Sequence, residues 1–179
     1  LEDKTINAFA APGGIIGINI GMFLNTEREG ELASVMCHEL AHLSQRHFAT
    51  SQNRNSPLAN ALMILGSIAV AAASRNPEAI LIAPAAMQQM SINYTRSNEK
   101  EADRIGFNNL IKAGFDPNDM TMMFQRMQDK YQNEDSEQFS YLMTHPLPSE
   151  RLTDMKVRAD NLPKSVNTIY KAVSYTHLT

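Results

Sequence analysis

The sequence predicts a mainly α-helical domain with one small β element near its N-terminus. Three observations carry that prediction. Apolar residues recur at spacings of three and four over most of the 179 residues. Pro and Gly fall where helices of ordinary length would start and stop. Only one stretch, Ile15 to Ile20, is rich in β-branched residues. With 43% apolar and 20% charged residues the chain reads as a globular protein of about one domain, which excludes a disordered tail or a fibrous repeat. A net charge of −3, with neither sign in blocks, leaves no footprint for nucleic acid. The one cysteine, Cys37, excludes an internal disulfide and a paired-cysteine zinc motif, and leaves the redox compartment open.

The elements follow in chain order. Gly and Pro punctuation in Ala10 to Ile20 leads into the single expected strand, from about Ile15 to Ile20. Thr26 followed by Glu29 has the spacing of a capping box. It opens a helix whose Leu32, Val35, Met36, Leu40 and Leu43 mark one buried stripe, running to about Ser51. Leu58 to Ser74 forms a second helix, apolar around most of its circumference, too short and too interrupted to span a bilayer and so expected to be buried or interfacial. A third helix restarts at Asn76-Pro77, bends at Pro84 and runs past Ile105 to Ile111, with Gly114 as its C-terminal glycine. Asp116-Pro117 starts a helix carrying Met120, Met123, Phe124 and Met127, in which the methionines are core filler. A final helix is capped by Ser149 and ended by Pro163. The expected domain covers residues 1–162, truncated at its N-terminus, and residues 163–179 form a tail whose last residues, with His177, read as foreign to the domain.

Chemistry is concentrated in His38-Glu39-Leu40-Ala41-His42. Residues four apart lie one above the other on a helix, so both imidazoles can converge on one ion. Glu39 projects beside them, where it can accept the proton of an attacking water without ligating. A catalytic zinc ion takes three protein ligands. The best third candidate is Glu99, one turn before Asp103 on the third helix. On this reading Glu99 binds zinc and Asp103 accepts the outer N–H of a ligating imidazole, that of His38. A solvated charged face is the ordinary alternative for this pair. Cys37 is placed as a buried core thiol. His47, turned by about 140° from His42, is placed at the surface, away from the metal.

Four segments together resemble one family: Asn7-Ala-Phe-Ala-Ala-Pro-Gly-Gly14, His38-Glu-Leu-Ala-His42, Asn98-Glu-Lys-Glu-Ala-Asp103, and Thr144-His-Pro-Leu-Pro148 with Arg151. They are similar, in order, to the gluzincin-type zinc metallopeptidases that include the CAAX prenyl protease, HtpX and the BepA-like periplasmic proteases, and nearest to the soluble BepA-like branch. The resemblance implies a zincin-like domain with the HExxH motif on a central helix. It implies zinc on His38, His42 and Glu99, Glu39 as general base and Asp103 behind the ligands. It also implies that Asn7 to Gly14 and the following strand wall a cleft where an extended peptide adds as a strand.

His145 gains a role through the resemblance, because the family's His-Pro loop approaches the metal. Two roles compete: donor to the oxyanion of the intermediate, or fourth ligand holding the enzyme inactive. Tyr94 and Arg151 are further candidates to assist the intermediate or orient a carbonyl. The function expected is zinc metalloendopeptidase in envelope quality control, periplasmic or otherwise extracytoplasmic in a bacterium. Its substrates would be unfolded or misassembled proteins, with assembly machinery reached through a missing repeat domain. Two alternatives remain: a client-binding module masked by His145, and a membrane-associated protease touching lipid through Leu58 to Met87.

Overall fold

Two strands rather than one open the structure, a computed structural model that describes residues 1–11, 13–47, 50, 57–76, 78, 81–133 and 140–162. Strands β1 (Ala8–Ala11) and β2 (Ile15–Ile18) pair antiparallel, with Ala8 opposite Ile18 and Ala11 opposite Ile15. The tight connection uses Gly13 and Gly14 at φ of 91° and 79°, a region that glycine enters without strain. Strand β1, Ala-Phe-Ala-Ala, has no β-branched residue and so gave no strand signal; its partner and the ring of Phe9 laid over Gly17 compensate. The expected end of the strand at Ile20 is instead the start of a short helix, α1 (Ile20–Leu24).

Helix α2 (Glu29–Ser44) is shorter than expected, because Arg46 takes φ 55° and the chain leaves the helical path before Ser51. The capping box does not form. Thr26 Oγ1 donates to the Phe23 carbonyl, and Glu31 accepts the Glu27 N–H at 2.7 Å in its place. The stripe on α2 also needs correction. Val35 is buried, but Met36 and Leu40 are 44% and 48% exposed, and the inward face carries Glu31, Ser34, His38 and Glu39. Both faces of the helix are apolar enough to satisfy the period, so periodicity could not say which one turns inward.

The chain divides into two compact units, Leu1–Gln45 with Glu99–Thr179, and Arg46–Asn98. In the second unit α3 (Pro57–Ser74) has the expected span but is not a core helix. Leu58, Leu62, Leu65 and Val70 are more than half exposed, and only Ser67 and Ala71 are buried among its described side chains. No described helix is long and apolar enough to cross a membrane. Helix α4 (Ile82–Lys112) begins at Ile82 rather than Pro77, and Pro84 falls in its first turn, where a missing N–H breaks no helical bond. Pro77 lies outside the described residues, as does the tail from residue 163 with His177.

The first unit holds the core. Gly114, at φ 86°, ends α4 in a Schellman motif: its N–H donates to Ile111 O, and that of Phe115 to Leu110 O. Helix α5 (Asn118–Asn133) then packs on α2, presenting Met120, Met123, Phe124 and Met127, all essentially inaccessible, as core filler. Helix α6 (Ser140–Thr144) leads through the His-Pro loop to α7 (Ser149–Asp160), which packs against α5. Ser149 is the first residue of α7 and Pro148 occupies the cap position, so the expected serine cap is absent. Around these helices Ile6, Met22, Val35, Phe107, Leu110, Tyr141 and Met155 close a continuous apolar cluster.

Candidate metal centre

One close approach builds the site. Where α4 crosses α2, a side chain at Gly106 would stand 3.1 Å from His38 Cα and N, both backbone atoms. Only a residue without Cβ lets the helices come so near. One turn earlier on α4 lies Asp103, and one turn before that Glu99, so the crossing presses both carboxylates against the histidine face of α2. Asp103 Oδ1 lies 3.0 Å from His38 Nδ1.

On the other side of the ring, His38 Nε2 and His42 Nε2 are 3.0 Å apart. Glu99 faces both, with Oε2 3.3 Å from His38 Nε2 and Oε1 3.3 Å from His42 Nε2. His145, delivered by the loop after α6, places Nδ1 3.1 Å from Glu99 Oε1. Its Nε2 lies 3.6 Å from Glu39 Oε1. One potential ligand atom from each of His38, His42, Glu99 and His145 lies within 4.8 Å of the others. Zinc bonds of about 2.0–2.1 Å at a tetrahedral angle hold ligand atoms about 3.3–3.4 Å apart. The spacings among His38, His42 and Glu99 therefore suit one such ion, and the donor set of imidazoles and a carboxylate is one zinc takes.

The electrostatics of the pocket favour a cation. Burial works against charge on His38, but the carboxylates of Asp103 and Glu99 outweigh it and push the ring up to about 9. Burial would raise Glu99, yet the surrounding imidazoles of His145, His38 and His42 hold it far below the usual carboxylate range. Asp103 is held down in the same way by Arg151 and His38 against its burial. His42 shifts the other way, lowered chiefly by burial. Glu39 is fully buried and neither carboxylate oxygen has a hydrogen-bond partner among the described residues. An acceptor so placed beside the ligand atoms is ready for a water proton.

The other candidates fall elsewhere. Arg151 is 3% exposed, with its guanidinium on the Asp103 carboxylate. Tyr94 sits on α4, and its side chain is outside the described residues. Cys37 is half-buried against the core, and burial raises its thiol. His47 is only 7% exposed, not a surface residue, because the turn at Arg46 breaks the helical rotation that placed it outside. Sequence reasoning missed Tyr141. Its ring stacks on His145 at 4.6 Å, and its buried hydroxyl finds no partner among the described residues. Burial, then the charges of Glu39 and Glu99, push this phenol well above its ordinary value. The only sequence signal is its place one helical turn before His145.

The model of peptidase family M48 matches residues 1–159. The chain is 48% identical over 168 residues to a putative beta-barrel assembly-enhancing protease of Vibrio cholerae, covering 91% of this chain and 34% of that protein. It is 39% identical over 171 residues to the beta-barrel assembly-enhancing protease of Escherichia coli K12, covering 90% and 34%. A more distant relative is the mitochondrial metalloendopeptidase OMA1 of Schizosaccharomyces pombe, 30% identical over 152 residues and covering 85% and 43%. The chain thus spans about a third of the length of the bacterial relatives.

Proposed function

The chain belongs to peptidase family M48, and from that premise we propose that it is the catalytic part of a zinc-dependent endopeptidase. One observation carries the reading: His38, His42 and Glu99 converge at ligand spacing beside a buried Glu39 whose oxygens have no hydrogen-bond partner among the described residues. In this proposal His38, His42 and Glu99 hold the ion, and Asp103 fixes the His38 ring from its far side. A bound zinc would supply Lewis acidity to the scissile carbonyl and lower the pKa of the attacking water. Glu39 takes the proton of that water on a carboxylate oxygen, keeps it while the C–N bond weakens, and delivers it to the leaving amine.

His145 lies among the ligand atoms, within reach of Glu99 and Glu39, which supports both roles open to it. As a mask it would take a coordination place and the chain would hold clients while cleaving slowly. As a donor it would stabilise the oxyanion. Replacing His145 by Ala raises turnover in the first case and lowers it in the second; unchanged turnover refutes both. The bacterial relatives are named for enhancing beta-barrel assembly, which supports work alongside such assembly; misassembled envelope proteins as substrates and a periplasmic place follow from the motif resemblance. The exposed Leu58, Leu62 and Leu65 on α3 support peripheral membrane contact, which flotation with lipid vesicles tests.

The deciding experiment is cleavage of an unfolded protein such as casein by wild-type and Glu39→Gln chains loaded with zinc. Glutamine keeps the shape but cannot take the proton, so turnover falls by about 10²–10⁴-fold while zinc content stays the same. Equal turnover removes Glu39 as the base.

A further inference from the structure

Arg151 is the most densely engaged buried cation among the described residues, and the reaction outlined above gives it no task. Its Nε donates to Asp103 Oδ2 and its Nη2 to Asp103 Oδ1, both at 2.7 Å, a fork gripping the carboxylate by both oxygens. Its Nη1 donates to the Pro146 carbonyl at 2.6 Å and lies 3.0 Å from Glu99 Oε2. The guanidinium sits over the Phe124 ring at 5.4 Å, which closes its remaining face.

We propose that Arg151 is a positioning residue that sets the metal ligands and the His145 loop from one point; the proposal rests on the reading of His38, His42 and Glu99 as ligands. Three consequences follow from the contacts. Because both oxygens of Asp103 are held by the fork, the carboxylate cannot rotate away, and its Oδ1 stays against His38 Nδ1. Because Nη1 lies on Glu99 Oε2, that carboxylate is held with Oε1 turned toward His42. Because the same Nη1 holds the carbonyl of Pro146, the residue next to His145 is tied to the ligand-bearing helix α4. Arg151 touches neither the attacking water nor the scissile bond, and acts only through the groups it fixes. Lysine in its place offers a point charge and cannot fork Asp103 while reaching Pro146 and Glu99.

The test is competition for zinc between the whole chain and a coloured chelator, in wild-type, Arg151→Lys, Asp103→Asn and doubly substituted proteins. Each single change is expected to raise the zinc Kd about 10- to 100-fold, the usual effect of losing a partner behind a ligand. The double variant should lose no more than the larger single effect, since both changes cut one linkage. Melting in excess chelator separates this from a structural role, which would lower the melting temperature and leave the zinc Kd unmoved. Should Arg151→Lys not fold, a chain carrying Arg151→Met with Asp103→Leu replaces the buried pair by apolar side chains, an exchange protein interiors tolerate. The same loss of zinc affinity is expected there. An unchanged zinc Kd in either folded protein, or fully additive losses in the double variant, overturns the proposal. A wild-type chain that binds no zinc overturns the ligand reading as well, and so is told apart from a failure of Arg151 alone.

Discussion

Replacing Gly106 by Ala tests whether the close crossing of α4 on α2 is what assembles the site. The added Cβ would meet His38 Cα and N at 3.1 Å and Cys37 C at 3.2 Å, against 3.4 Å for ordinary contact. All three are backbone atoms and cannot swing aside, so the helices must separate by a few tenths of an ångström. Overpacking of this kind costs about 1–3 kcal/mol, and the better helix propensity of Ala returns about 0.8–1 kcal/mol. The net expectation is a loss of about 1 kcal/mol. The same separation lengthens the 3.0 Å approach of Asp103 to His38, so zinc affinity falls together with stability. Urea unfolding in chelator reads the first effect and chelator competition the second. Gly66→Ala on exposed α3 is the control, because nothing lies within 4 Å of its added Cβ; it should stabilise by up to about 1 kcal/mol. A Gly106→Ala chain that gains stability as the control does, and binds zinc as tightly as wild type, refutes the crossing as the organising contact.

Four further outcomes are expected. Burial pushes the Asp119 carboxyl from 3.8 up to about 6, despite Arg28 at 3.1 Å. The folded state therefore keeps a proton that the unfolded chain releases, so this group's contribution is fullest below pH 4 and is lost as pH rises toward 6. Urea unfolding in chelator at pH 4 and pH 7 should show a smaller fall for Asp119→Asn than for wild type, and an identical fall in both contradicts the assignment. Tyr141→Phe removes a buried hydroxyl that has no partner among the described residues and keeps the ring on His145, so thermal melting should show it at least as stable as wild type. Tyr141→Ala empties a fully buried site and should lose about 3–5 kcal/mol. Removing zinc with chelator from protein held at a hundred times its Kd withdraws about 2.7 kcal/mol of linkage, a drop of about 5–10 °C in melting temperature at this chain length.

The candidate site residues on each helix are legible in the sequence because their geometry is local. His38 and His42 are four apart, as are Glu99 and Asp103, and any helix stacks such pairs on one face. The distance between the pairs is set by Gly106, whose absent side chain looks in sequence like a weak point in a helix rather than a contact. Arg151 was visible as a residue but not as a fork, because its partners Asp103, Glu99 and Pro146 come from two other segments. Tyr141 is also four residues before its partner, but His145 lies one residue past the end of α6, beside a proline, where no helical face is expected. On α2 the apolar period is real, but Glu31, Ser34, His38 and Glu39 take the inward face and leave Met36 and Leu40 outside. Strand β1 escaped for the opposite reason: its composition carries no strand preference, and pairing with β2 supplies what the residues do not.

Zinc K-edge absorption on the purified, zinc-loaded chain reads the atoms around the ion and so decides whether His38, His42 and Glu99 hold it. One zinc per chain is expected, with two imidazole nitrogens at about 2.0–2.1 Å and a carboxylate oxygen beside them. The same signature should be lost from a chain carrying His38→Ala and His42→Ala. Sulfur scattering from Cys37, or an unchanged spectrum after both histidines are removed, would contradict that ligand set.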